Sequence, residues 1–131
     1  MKNNRGEIMA NFKRGRGDNM GVAGSLNDNA DITSPVRAFW PNDYGLYDMA
    51  GNVWEFCADW YNEKYYKNSP TKNPPGPDTG QLFDWGGPCR VLRGGSWHSA
   101  ASALNVAFRG FSIPDDRHYF TGFRCVSEMP K

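Results

Sequence analysis

Apolar residues of this chain lie in a few short runs that are separated by long polar segments. Residues 53–61 are apolar on both sides of an extended backbone, a pattern that is typical of a buried strand. Further strands are predicted at 90–93, which ends at Gly94-Gly95, at 106–109 and at 123–127. Short strands between long irregular segments indicate an α+β or mostly-β domain with heavy loop content.

Two long segments are predicted to be loops. Residues 1–34 are polar and rich in Gly, Asn and Asp, and residues 62–88 contain five of the nine prolines of the chain. Proline removes N–H groups that a sheet requires, and glycine weakens strand formation. The whole chain has 131 residues, which is long enough for one domain with its own core.

Composition and charge narrow the class of protein. Aromatic residues make up 15% of the chain, so large rings are expected to form the core. The net charge is +1, which argues against bulk nucleic-acid binding. No apolar run approaches the ~18 residues of a membrane-spanning helix, and no signal peptide is visible, so direct membrane insertion is not expected.

The three cysteines, Cys57, Cys89 and Cys125, do not have the spacing of a metal site. The favoured interpretation is three buried free thiols, because an unpaired cysteine behaves as a small hydrophobic residue. One disulfide with one free thiol is the alternative for an exported protein.

Four segments then stand in order along the chain: YGLYDMAGNVWE at 44–55, ADWY at 58–61, RVLRGGSW at 90–97 and GFRCV at 122–126. Together they strongly resemble the formylglycine-generating-enzyme family, which is also called the sulfatase-modifying-factor family. The resemblance extends over nearly the whole chain.

This resemblance implies an α+β fold of the loop-rich, C-type-lectin-like kind, with short antiparallel strands and little regular secondary structure. Residues 1–131 would form a single domain of this kind and would correspond to the C-terminal part of a longer family domain. Residues 6–18 further resemble gliding-motility lipoproteins of the same superfamily.

The resemblance does not extend to the chemistry of the family's oxidases, which use two cysteines shortly after the Gly-Gly-Ser-aromatic motif and bind copper. Here the motif ends at Trp97, and no cysteine stands between Cys89 and Cys125. Serine and alanine cannot replace a thiolate nucleophile or a soft copper ligand. We therefore expect no catalytic residues and no copper, and a truncated or degenerate enzyme is the alternative.

Residues 98–121 have an unusual composition, because Lys, Glu, Gln, Met and Trp are all absent from this stretch. Codons of the form NNC or NNT cannot encode these five residues. The bias resembles the variable region of proteins that are mutated by diversity-generating retroelements, whose targets frequently use this scaffold. An ordinary ligand-facing loop with a mild bias is the alternative.

Both interpretations of 98–121 predict a non-catalytic, receptor- or adhesin-type binding module that displays a variable surface. Its partner would be a protein or another surface ligand, without nucleic acid, and its location extracellular, on a cell surface or on a virion. A structural component of a gliding or secretion machine on the cell surface is the alternative.

The residues expected on one exposed, ligand-binding face are His98, Ser99, Ala100, Ser102, Asn105, Phe108, Phe111, Ile113, His118, Tyr119 and Phe120. An exposed patch with several aromatic residues normally marks an interaction site. Between these residues, Val106, Ala107, Arg109, Pro114, Asp115 and Arg117 match the family pattern and are expected to be scaffold. The competing interpretation is that Phe108 and Phe120 pack inward beneath Trp97.

The family resemblance also implies up to two calcium sites. One would use the side chains of Asp48 and Glu55 with the carbonyls of Gly51 and Val53. The other would use the side chains of Asn11 and Asp28 with the carbonyls of Phe12 and Ala30. Calcium prefers such sets of carboxylate, amide and carbonyl oxygens. The alternative is that Asp48 and Glu55 accept backbone hydrogen bonds or form salt bridges.

The missing cysteine pair predicts that the protein has no formylglycine-generating activity. Incubation with copper, oxygen and a peptide that carries the sulfatase cysteine motif should leave the peptide thiol intact in mass spectrometry. Conversion of that thiol to an aldehyde would contradict the prediction.

Overall fold

The computed structural model describes residues 10–12, 33–84 and 86–127. Regular structure in this part of the chain consists of four short strands and two 3-10 turns. The strands are β1 (Trp54–Trp60), β2 (Arg90–Arg93), β3 (Gly110–Ser112) and β4 (Thr121–Phe123), and the turns are Tyr65–Lys67 and Ala101–Leu104.

The strands form one small mixed sheet in the order β3-β2-β1-β4. β1 and β2 are antiparallel, and so are β2 and β3, whereas β4 runs parallel to β1 with Trp54 opposite Thr121. The expectation of antiparallel strands is therefore wrong for the β1–β4 pair. Parallel neighbours require a long connection, and here β2, β3 and their loops supply it.

The predicted strands at 53–61 and 90–93 are confirmed as β1 and β2. β1 is only half-buried, however, and Ala58 and Asp59 on it are exposed, so the expectation of a fully buried strand is wrong. An edge-near strand of a small sheet commonly keeps one face partly in contact with water.

The other two strand predictions are wrong in position. Residues 106–109 form a turn, and β3 begins only at Gly110. The guanidinium of Arg93 donates hydrogen bonds to the carbonyls of Val106 and Phe108, which a strand would use for its ladder. The last strand is β4, which ends at Phe123 instead of beginning there.

Two small clusters form the core of the described residues. Buried Ala10, Phe12 and Leu104 pack with Ala50 and Ala101. On the sheet, buried Tyr61, Cys89 and Val91 pack with a set of partly buried residues, namely Cys57, Phe83, Phe111 and Ile113. Each fully buried Leu or Phe side chain contributes about 1.5–3 kcal/mol relative to an exposed one.

An ion pair closes the edge of the sheet after β4. The Arg124 guanidinium donates to both carboxylate oxygens of Glu55, with Nη2 2.7 Å from Oε1, and to the carbonyls of Tyr47 and Asp48. The hydrogen bond to Glu55 raises the pKa of Arg124 further above neutrality. The pair thus connects β1, the end of β4 and the turn at 47–48.

Gly51 lies where three segments of backbone meet. Its N–H donates to the Gly94 carbonyl at 2.8 Å, and the next N–H, of Asn52, donates to the Asn11 carbonyl at 2.8 Å. The φ angle of Gly51 is 78°, and a Cβ atom there would overlap the Asn11 carbonyl. Only glycine is compatible with both the conformation and this close approach.

Gly45 provides a matched control for this constraint, because its φ angle is 74° but nothing lies within 4 Å of the position its Cβ would occupy. We expect Gly45→Ala to lower the free energy of unfolding by about 1–2 kcal/mol, from backbone strain alone. Gly51→Ala should lower it by about 3 kcal/mol or more, because overpacking adds to the same strain. Equal effects in denaturant titrations would contradict this account of Gly51.

Candidate functional site

Five rings meet at the end of the sheet at which β1 begins and β2 ends. This aromatic cluster consists of Trp97, His98, His118, Tyr119 and Phe120. The Phe120 ring stacks with His98 at 5.9 Å between centroids and with His118 at 4.9 Å, at interplanar angles of 13° and 5°. The Trp97 ring lies 5.8 Å from that of Tyr119, which is 71% exposed.

Main-chain hydrogen bonds hold the cluster on the sheet. The Trp97 N–H donates to the Asn52 carbonyl, just before β1, and the Trp54 N–H donates to the Phe120 carbonyl, both at 2.8 Å. The Thr121 N–H donates to the His118 carbonyl at 3.1 Å. Main-chain groups therefore attach both ring-carrying segments to the sheet.

The turn that follows β2 orients the first of these segments. Gly94 and Gly95 have φ angles of 88° and 73°, which let the chain leave the strand sharply. The hydroxyl groups of Ser96 and Ser99 are 3.0 Å apart, and the Ser99 hydroxyl accepts the Ser96 N–H at 3.1 Å. The Ser96 hydroxyl in turn accepts the His98 N–H at 3.3 Å, so His98 is presented from a closed turn.

Phe108 lies beside the cluster. Its ring is 5.9 Å from that of Trp54, which also packs on Gly110. Phe108 is 43% exposed. The competing interpretation, in which Phe108 and Phe120 pack inward beneath Trp97, therefore does not describe Phe108, and Phe120 is half-buried within the His–Phe–His stack.

None of the eleven predicted ligand-binding residues is buried. Those that are exposed are His98, Ala100, Ser102, Asn105, Phe108, His118 and Tyr119, and those that are half-buried are Ser99, Phe111, Ile113 and Phe120. The structure brings four of the eleven together in the aromatic cluster. Asn105 instead lines a separate groove of about 480 Å³ with Trp40, Leu46 and Met49.

Phe111 and Ile113 do not belong to an exposed face with the others, and this part of the prediction is wrong. Phe111 is paired with Val91 in the β2–β3 register, and paired residues project from the same side of a sheet. Its ring lies 4.4 Å from that of Tyr61, and Ile113 packs on the same cluster. Of the residues expected to be scaffold, Arg109 is half-buried and the others are exposed, and the Val106 carbonyl accepts a hydrogen bond from Arg93.

Sequence reasoning missed one contributor to the aromatic cluster. Trp97 is not among the residues expected on the binding face, although its ring is part of the aromatic cluster and only half-buried. Trp40, which is 56% exposed, lines the separate groove with Asn105. For Trp97, its place directly after the Gly-Gly-Ser turn is the signal that could have found it.

Two of the three cysteines, Cys57 and Cys89, offer weak nucleophiles. All three are free thiols, with Cys89 buried, Cys57 half-buried and Cys125 exposed. The expectation of burial is therefore wrong for Cys125, because this residue follows the edge strand β4. Burial raises the pKa of the Cys57 thiol, an effect that Asp59 increases and Arg93 opposes, and burial also raises the pKa of Cys89. A raised pKa keeps a thiol protonated and lowers its nucleophilicity.

Of the predicted calcium set of Asp48, Gly51, Val53 and Glu55, all but the buried Gly51 line a groove of about 450 Å³. Asp48, Val53 and Glu55 line it together with Arg37 and Arg124. The Asp48 carboxylate accepts the Arg37 N–H at 2.7 Å, and Arg124 binds both oxygens of Glu55. The oxygen donors suit calcium in kind. An ion there would have to share Glu55 with the Arg124 guanidinium.

Of the other predicted calcium set, Asn11 and Phe12 are buried next to Gly51, whereas Asp28 and Ala30 lie outside the described residues. Over residues 10–12, 33–84 and 86–127, no group of three or more His, Cys, Asp or Glu side chains is arranged to hold a metal ion. The same part of the chain contains no helix that is long and apolar enough to cross a membrane.

The profile of the sulfatase-modifying factor enzyme 1-like domain matches residues 3–129. The chain therefore belongs to this family, which is the family that the four sequence segments indicated. The small mixed sheet with long loops is the form in which the family fold is seen here.

Three comparisons show the breadth of the family. The chain is 43% identical over 99 residues to the formylglycine-generating enzyme of Streptomyces coelicolor, which covers 73% of this chain and 29% of that protein. It is 40% identical over 100 residues to the inactive C-alpha-formylglycine-generating enzyme 2 of Mus musculus, a match that covers 72% of this chain and 26% of that protein. Among solved structures it is similar to Treponema denticola variable protein 1, with a TM-score of 0.63 and 34% sequence identity. The matched region covers 88% of this chain and 34% of that protein. The chain thus spans less than a third of the two formylglycine-generating-enzyme relatives and about a third of the variable protein.

Proposed function

We propose that the chain is a non-catalytic ligand-binding module whose binding surface is the aromatic cluster. The observation that carries the proposal is the exposed set of His98, His118 and Tyr119 around Phe120 at one end of the sheet. Aromatic side chains supply large contact areas at low entropic cost and are favoured in binding hot spots.

The way in which the cluster is attached supports a surface whose residues can vary. The hydrogen bonds of Trp97, Phe120 and His118 to the sheet use only main-chain atoms. The contacts of Arg93 with the neighbouring turn also use main-chain carbonyls. Such contacts do not depend on which side chains project from the segment, so substitutions at the exposed positions leave the scaffold intact.

The similarity to a protein named as variable supports the same proposal. We infer a C-type-lectin-like scaffold, diversified by a retroelement over residues 98–121, with a protein or another surface molecule as its ligand. On this proposal the module acts outside the cell, on a cell surface or on a virion. A degenerate enzyme is the second candidate, which the identity to the Streptomyces coelicolor enzyme favours.

A display library tests the binding proposal. The exposed positions His98, Ser102, His118 and Tyr119 are randomised, and a matched control library randomises the buried Leu104 and Ser112 of the same segment. We expect most members of the first library to fold and to yield binders for a test protein such as lysozyme. Loss of folding in both libraries alike would contradict the proposal.

The flanking DNA tests the retroelement separately. A nearby reverse transcriptase gene and a near-repeat of the codons for residues 98–121 are expected. Secretion genes without either feature would contradict diversification and would favour a structural role at the cell surface.

We also propose that calcium binds in the groove of Asp48 and Glu55. Support comes from their shared groove and from the Val53 position beside them. Binding to the folded state must raise stability, by about 2.7 kcal/mol when the ion is present at 100 times its Kd. The melting temperature should therefore be higher in millimolar calcium than in the presence of a chelator. Glu55→Gln should abolish this difference between the two melting temperatures. An unchanged melting temperature in the unsubstituted protein would reject the site.

A further inference from the structure

A separate cavity of about 170 Å³, which shares no lining residue with the aromatic cluster, lies between the sheet and the turn Tyr65–Lys67. Two arginines, Arg93 and Arg109, and one carboxylate, Asp59, line it. The remaining wall is mainly aromatic and apolar. The volume corresponds to about five or six water molecules, which is the size of a small organic molecule.

Arg109 is held in place by two rings. Its guanidinium carbon lies 4.3 Å from the centroid of Tyr66 and 5.1 Å from that of Tyr61. One N–H group, on Nη1, donates to the Asn62 carbonyl at 3.3 Å. Stacking of this kind fixes the plane of the guanidinium and leaves its edge able to donate hydrogen bonds.

Arg93 is held as firmly, because its two terminal nitrogens donate to the carbonyls of Val106 and Phe108. The cavity therefore contains two positioned cations. Asp59 is the one acidic residue among those that line it, and its carboxylate lies against Gly76, where an added Cβ would be 3.0 Å from Oδ1.

We propose that this cavity binds a small zwitterion of the amino-acid class. The carboxylate of the ligand pairs with Arg109 and Arg93, since guanidinium groups bind carboxylates through parallel N–H bonds. Its ammonium group faces Asp59. Its apolar part contacts Val91 and the two prolines Pro74 and Pro77, which line the same cavity. Positioned binding groups favour affinity because little side-chain freedom is lost when the ligand binds.

Titration calorimetry on the 131-residue protein tests the proposal with three ligands: alanine, propionate and propylamine. Alanine should bind most tightly, propionate more weakly, and propylamine without detectable heat. Asp59→Asn should weaken alanine about tenfold and leave propionate unchanged or tighter, since only alanine carries the ammonium group that Asp59 pairs with.

Arg109→Gln should abolish the binding of both ligands that carry a carboxylate, alanine and propionate. The matched control is Arg37→Gln, because the Arg37 guanidinium also lies over a tyrosine ring, at 5.2 Å from Tyr47, but outside the cavity. If Arg109→Gln fails to fold, Tyr66→Ala replaces it, since the Tyr66 side chain is 65% exposed and its loss should weaken alanine binding without unfolding the protein.

The proposal is overturned if alanine fails to bind the unsubstituted protein with a Kd below about 10 mM. It is also overturned if Asp59→Asn weakens alanine and propionate equally, or if Arg37→Gln has the same effect as the cavity variants. Failure of these ligands leaves the aromatic cluster and its role untouched, because the two sites share none of their residues.

Discussion

Residues 51 and 52 hold three distant parts of the chain together through main-chain hydrogen bonds. Gly51 donates to Gly94, Asn52 donates to Asn11, and the Asn52 carbonyl accepts the Trp97 N–H. These bonds connect the segment before β1, the buried residues at 10–12 and the turn after β2. Since Gly51 has no side chain, the Asn11 backbone can approach it closely.

The aromatic cluster depends on this junction. The turn that carries Trp97 and His98 leaves β2 at Gly94, whose carbonyl accepts the Gly51 N–H. β4 brings His118, Tyr119 and Phe120 to the same end of the sheet. A scaffold that relies on backbone contacts tolerates changes of side chain on the surface it supports. The family contains enzymes and a mammalian member named as inactive, so one scaffold carries different sites.

Local pattern was sufficient to predict some elements and not others. β1 follows from its apolar run, and the end of β2 follows from Gly94-Gly95, whose φ angles a strand cannot adopt. The turn over Asn105 to Phe108 is formed locally, because the Asn105 side-chain oxygen accepts the Ala107 N–H and the Asn105 carbonyl accepts the Phe108 N–H. The strand prediction at 106–109 overlooked this turn signal, and the additional bonds from Arg93 could not be predicted from local pattern. The core position of Phe111 could not be predicted because it results from the register of Phe111 with Val91 on another strand. The pairing of Glu55 with Arg124 likewise joins residues that are 69 positions apart.

The central claim is that the aromatic cluster is a surface supported by the scaffold and not a part of the core. The melting temperature of the triple variant His98→Ser, His118→Ser, Tyr119→Ser tests it most directly. We expect cooperative unfolding within about 5 °C of the unsubstituted protein, because exposed side chains change stability little. A fall of more than about 15 °C, or loss of the cooperative transition, would show that the rings belong to the core and would contradict the account.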